Sequence, residues 1–131
     1  MEKTSKETEN RHREFQELKR EIEYLQEQFM LLEQRLVELN NMKESLNEIN
    51  AEKIFTAIGS DMFLEGEIKN KEKVLINIGA DIFVKKDTNA AKDIVNKQIG
   101  LTVDVMDKIN SDLRTRISEI RFIQEELKDA Q

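Results

Sequence analysis

Apolar residues recur through the first third of the chain at Phe15, Leu18, Ile22, Leu25, Phe29, Leu32, Leu36 and Leu39, in steps that alternate three and four. On a helix that spacing lines them along one edge, the a and d seam of a coiled coil. The seam continues at Met42, Leu46 and Ile49, and two successive three-residue steps at Leu36–Leu39–Met42 shift its phase as a stammer does. Off the seam, Glu, Gln, Lys, Arg and Asn dominate, which predicts a long helix with one apolar edge. The last third repeats the pattern at Val95, Ile99, Met106, Ile109, Leu113, Ile117, Ile120, Ile123 and Leu127. Asp87, Thr88 and Asn89 are suitable N-cap residues for this second helix. Gly100 is its weak point, costing about 1 kcal/mol against alanine.

The two seams match when the helices are set antiparallel. A single register brings Phe15 to Ile123, Leu18 to Ile120, Leu25 to Leu113, Phe29 to Ile109, Leu32 to Met106 and Leu39 to Ile99. Ile22 and Ile117 are one residue out of step, and Leu36 meets the polar Thr102. The chain is therefore expected to fold back on itself as a helical hairpin.

Between the helices the period changes from that of a helix to that of a strand. Runs at Lys53–Ile58 and Asp61–Ile68 flank Gly59-Ser60, and runs at Lys73–Ile78 and Asp81–Lys86 flank Gly79-Ala80. Met62, Leu64 and Ile68 fall on one face of their strand, as do Val74, Ile76 and Ile78, and then Ile82 and Val84. Two hairpins with open edges and an apolar face are marginal alone. The reading is that they pair with the same element of other subunits, closing into a β-barrel that removes the edges. Ile54, Phe55, Met62, Leu64, Val74, Ile76, Ile78, Ile82 and Val84 are the candidate interface residues. The fold class is α+β, in three parts: a coiled-coil helix over 1–50, two β-hairpins for oligomerisation over 51–88, and a second coiled-coil helix over 89–131.

Composition narrows the function. The chain is 38% hydrophobic and 37% charged, with no Trp or Pro, a balance that suits long helices burying a narrow stripe. A net charge of −6 without a basic block argues against nucleic acid. Zero Cys excludes disulfides, thiol catalysis and Cys-based metal sites. No apolar run approaches the roughly 18 residues of a membrane span, and the polar start MEKTSKETENRH has no signal-peptide pattern, so a cytoplasmic location is expected. His12 is the only histidine and lacks clustered partners, and the glycines fit no phosphate-loop spacing. The run DTNAAKDIVNKQ starts like a calcium loop but has Lys92 and Gln98 where that loop needs Gly and Glu. No enzyme activity, metal or cofactor is expected.

The segment AIGSDMFLEGEIKNKEKVLINIGADIFVKKD, set between two long helices, resembles the alpha-type subunit of the prefoldin family. The resemblance covers essentially the whole chain. It is most specific over 57–87, and four strands rather than two favour the alpha type. It implies an ATP-independent chaperone, a hexamer of two alpha and four beta-type subunits with a double β-barrel platform. Coiled-coil tips would hold unfolded polypeptides and deliver them to a group II chaperonin. The turns depart from the family pattern: Ala57-Ile58-Gly59-Ser60-Asp61 replaces a Pro-x-Gly-x-Gly-like run, and Gly79-Ala80-Asp81 lacks a second glycine. These departures bear on the assembly partner, and the alternative is a filament-forming, self-assembling relative of the gamma-prefoldin kind.

The antiparallel register puts residues 1–25 and about 113–131 at the free end of the helix pair. Phe15, Leu18, Ile22, Ile120, Phe122, Ile123 and Leu127 are the candidate client-binding residues there. Phe122 lies beside the seam without a partner in the register, and Leu127 faces His12. The others serve equally well as coiled-coil core.

Overall fold

The alternating seams fold as helices and the alternating middle as strands. The computed structural model describes residues 5–49 and 52–129. Its elements run α1 (Ser5–Asn47), β1 (Lys53–Ala57), β2 (Phe63–Glu67), β3 (Lys73–Asn77), β4 (Phe83–Asp87) and α2 (Thr88–Asp129). Two long helices with two antiparallel β-hairpins between them are the architecture expected from the pattern. The chain divides into two units, one taking the chain up to Leu36 together with Leu101 onward, the other spanning Val37–Gly100.

In the first unit the helices are antiparallel and close to the expected register. Arg11 Nε meets Glu126 Oε2 at 2.8 Å, and Arg116 Nε meets Glu21 Oε2 at 2.8 Å. Both cross-helix pairs lie within one residue of the register drawn from the apolar seam. Seam residues such as Phe15, Leu18, Ile22, Leu25, Phe29 and Leu32 are half-buried, while Ile123 is 5% exposed. A two-helix pair has no third layer to cover its flanks, so most of its seam keeps some contact with water.

The second unit holds the main core. β1 pairs with β2 and β3 with β4, as two separate two-stranded sheets. Ile76, Ala91 and Val95 are buried together, with Met42, Leu46, Val74, Val84, Ile94 and Ile99 packed around them. Thus one face of the β3–β4 hairpin lies on the lower parts of both helices. Leu39 is also buried, 1% exposed. Thr88 fastens the start of α2 to the linker between the hairpins: its N–H donates to Glu72 O at 2.8 Å and its hydroxyl to Lys71 O at 2.7 Å.

The strands are shorter than their sequence pattern. Ile58, Met62, Ile78 and Ile82 lie in the connections, which span 58–62 and 78–82 rather than two residues each. Each connection is closed by a backbone bond, Ile58 N–H to Met62 O and Ile78 N–H to Ile82 O, both 3.0 Å. In the second, Gly79 has φ 126°, Ala80 50° and Asp81 57°. The carboxamide oxygen of Asn77 accepts from Gly79 N–H at 2.9 Å, an Asx turn that starts the reversal. Three successive left-handed residues complete it, and two of them are not glycine.

Candidate functional site

Two apolar surfaces remain once each unit has packed its own core. The first is on the hairpins. Opposed residues of an antiparallel pair share a face, so the register Ile54↔Gly66 and Thr56↔Leu64 puts Ile54 and Leu64 on one side of β1–β2. The register Phe55↔Glu65 and Ala57↔Phe63 puts Phe55 and Phe63 on the other. Both sides are exposed: Ile54, Phe55, Ile58, Met62, Phe63 and Leu64 all lie open, Phe55 at 73%. This hairpin has no covered face.

The β3–β4 hairpin differs. Val74, Ile76 and Val84, expected at the interface, point instead into their own chain's core, and Ile76 is only 6% exposed. The helix bases of the same chain already provide a surface for this face, which the alternation pattern could not reveal. Ile78 and Ile82, in the connection, remain exposed. So do Leu75, at 70%, and Phe83 on the outward face. Phe63, Leu75 and Phe83 escaped the sequence reading because they alternate out of phase with the more regular aliphatic face. Their apolar bulk at outward strand positions was the available signal.

Across the open end of β3–β4, Lys73 Nζ meets Asp87 Oδ1 at 2.6 Å. The hydrogen bond from Lys73, with its charge, holds the Asp87 carboxyl below its ordinary value, and Asp87 in turn raises the Lys73 ammonium. Asp87, expected as an N-cap, thus spends its carboxylate on the strand partner.

The second surface lies at the end of the helix pair in the first unit. A groove there is floored by Leu18, Phe122 and the largely buried Ile123. Phe122 is 62% exposed. Arg11 bridges Glu14 and Glu126, both at 2.8 Å, and Arg116 bridges Glu21 at 2.8 Å and Glu119 at 3.6 Å. These guanidiniums clip the groove's two walls together. A second groove contains Phe15 and Leu127, with His12, Arg121 and Lys128 at its edge. Ile22 and Ile120 are half-buried in the seam. Of the seven expected tip residues, then, Phe122 is open, Phe15, Leu18 and Leu127 are partly accessible in grooves, and Ile22, Ile120 and Ile123 belong to the helix seam.

Further exposed apolar side chains on the helices, Tyr24, Met30, Leu31, Val37, Leu101 and Val105, lie off the seam and were not singled out by its period. Among the described residues no group of three or more His, Cys, Asp and Glu is placed to hold a metal ion. No helix among them is long and apolar enough to cross a membrane.

Two long helices with two antiparallel β-hairpins between them, the hairpins bearing exposed apolar side chains, are the architecture to be compared with known proteins. The prefoldin subunit family matches residues 18–131, and the chain belongs to that family. No curated protein matches it in sequence. Among solved structures it is similar to the filamentous PFD of Methanocaldococcus jannaschii, determined by cryo-electron microscopy. The TM-score is 0.52 and the identity 16%, over 93% of this chain and 98% of that one. At that identity the likeness shows the shared fold.

Proposed function

We propose that this chain is an ATP-independent chaperone subunit of alpha type, which holds non-native polypeptides at the end of its helix pair. The observation that carries the reading is the open Phe122 beside Leu18 and Ile123 in one groove, in a chain of the prefoldin family. Burying an apolar side chain stabilises a contact by roughly 1.5–3 kcal/mol. A single groove therefore binds weakly and reversibly, and several on one assembly raise avidity by about 10²–10⁴. Assembly runs through the exposed hairpin residues Ile54, Phe55, Met62, Leu64, Ile78 and Ile82, with Phe63, Leu75 and Phe83 added. The partners are beta-type subunits in a hexamer of two alpha and four beta, with delivery of the client to a group II chaperonin in the cytoplasm. Neither catalysis nor a cofactor takes part.

A second reading is favoured by one observation, the filamentous character of the structural neighbour. Under it the hairpins join copies of this chain into a filament and client holding is secondary. Truncation of 1–18 and 120–131 separates the two. If the helix ends hold clients, protection of a denatured protein from aggregation falls while the assembly survives with the same number of subunits. Unchanged protection refutes the holding role of these ends.

A further inference from the structure

Resting on that reading, we infer that the Phe122 groove selects its clients by charge: it takes apolar segments flanked by Lys or Arg in preference to segments flanked by Asp or Glu. The floor supplies the apolar contact through Leu18, Phe122 and Ile123. The rim supplies the selection. Four carboxylates, Glu14, Glu17, Glu21 and Glu119, stand against two guanidiniums, Arg11 and Arg116, a net −2 around the groove.

Both arginines are already engaged. Arg11 is shared by Glu14 and Glu126, and Arg116 by Glu21 and Glu119. Their existing carboxylate partners offset much of the attraction they offer an acidic client. Glu17 has no ion pair among those found for the described residues, and it lines the groove. The opposite groove, around Phe15 and Leu127, has the other sign, with Arg121 and Lys128 against Glu125. Its apolar side chains are half-buried, however, whereas Phe122 stands open. The stronger apolar contact therefore lies on the acidic side, and that side sets the preference. An exposed rim charge acts through water, so its effect is modest and screened by salt.

The chain has no Trp, so Phe122→Trp in the full-length protein places a single reporter in this groove. Two unstructured Trp-free peptides are titrated against it, one with a Leu-Phe-Leu core flanked by lysines and its twin flanked by glutamates. At low salt the lysine-flanked peptide is expected to bind about 3–10-fold tighter, the scale of one or two exposed ion pairs. The preference shrinks to about twofold or less near 0.5 M salt, where screening is nearly complete. It also shrinks in a Glu17→Lys background, which removes no ion pair found in the structure and leaves helix content, read by circular dichroism, unchanged.

Equal affinities, indifferent to salt and to Glu17→Lys, overturn charge selection while leaving the groove as the holding surface. Tighter binding of the glutamate-flanked peptide overturns it likewise. If neither peptide moves the Trp emission while the protein still suppresses aggregation, the groove is not the holding surface and this inference falls with it. If the unmodified protein suppresses no aggregation, the chaperone reading itself fails.

Discussion

Ala80 occupies a left-handed backbone conformation, φ 50°, between Gly79 and Asp81. A Cβ in that region costs energy that glycine avoids, whereas Asp tolerates it through local hydrogen bonding. Ala80→Gly is therefore expected to stabilise the chain by about 0.5–1 kcal/mol, read as a raised urea midpoint. Gly100 presents the opposite case. It lies inside α2, and a Cβ built there meets nothing within 4 Å. Gly100→Ala is expected to add about 0.5–1 kcal/mol and to increase helix content.

The Lys73–Asp87 pair makes a prediction about pH. Asp87 has a lowered folded-state pKa, so its contribution is present above the ordinary 3.8 and is lost as pH falls through the folded value. Lys73 is raised, so its contribution is complete below 10.5 and is lost as pH rises through the folded value. The stability difference between the native chain and Asp87→Asn should then be flat in between and narrow at both extremes. A difference that varies across neutral pH would show that the pair is not its source.

At the scale of the element, the two hairpins have the same length and unequal support. β3–β4 rests Val74, Ile76 and Val84 on the helix bases, whereas the large apolar side chains of β1–β2 (Ile54, Phe55, Phe63 and Leu64) are all exposed. Replacing Leu39 by Ala, in the buried base of α1, is expected to cost about 2–5 kcal/mol. Replacing Phe55 by Glu, on an exposed strand, should leave the helical circular dichroism and urea midpoint of the unassembled chain nearly unchanged while weakening assembly. A large loss of monomer stability from Phe55→Glu would mean that β1–β2 packs within its own chain.

These elements differ in how far the sequence exposed them. The helix seam was legible because Phe15 through Leu39 never misses a step, and the cross-helix pairs Arg11–Glu126 and Glu21–Arg116 fall within a residue of its register. The order of four strands was legible from alternation and the turn glycines. Which sheet face would be covered was not. Val74, Ile76 and Val84 look like Ile54 and Leu64 in sequence, and only the helix bases beside them decide their burial. At the helix end, Phe122 was legible because it had no partner in the seam. The acidic rim was not, because it is made from residues of two helices that meet only in the folded hairpin.

At the scale of the whole molecule, the exposed bulk is the feature that most needs an explanation. Phe55, Phe63, Leu64, Leu75 and Phe83 are all open on two hairpins that, among the described residues, form separate two-stranded sheets. Exposed apolar side chains on two-stranded hairpins favour association. We propose that these faces are assembly surfaces. The measurement that tests it most directly is native mass by light scattering after size exclusion, over a concentration series, for this chain alone and mixed with a beta-type subunit. If they are, species heavier than the 15.4 kDa chain form, a discrete hexamer with the partner or a growing homo-oligomer without it. Phe55→Glu combined with Leu75→Glu should return either to the monomer. A chain that stays monomeric at every concentration, with and without the partner, would contradict the claim.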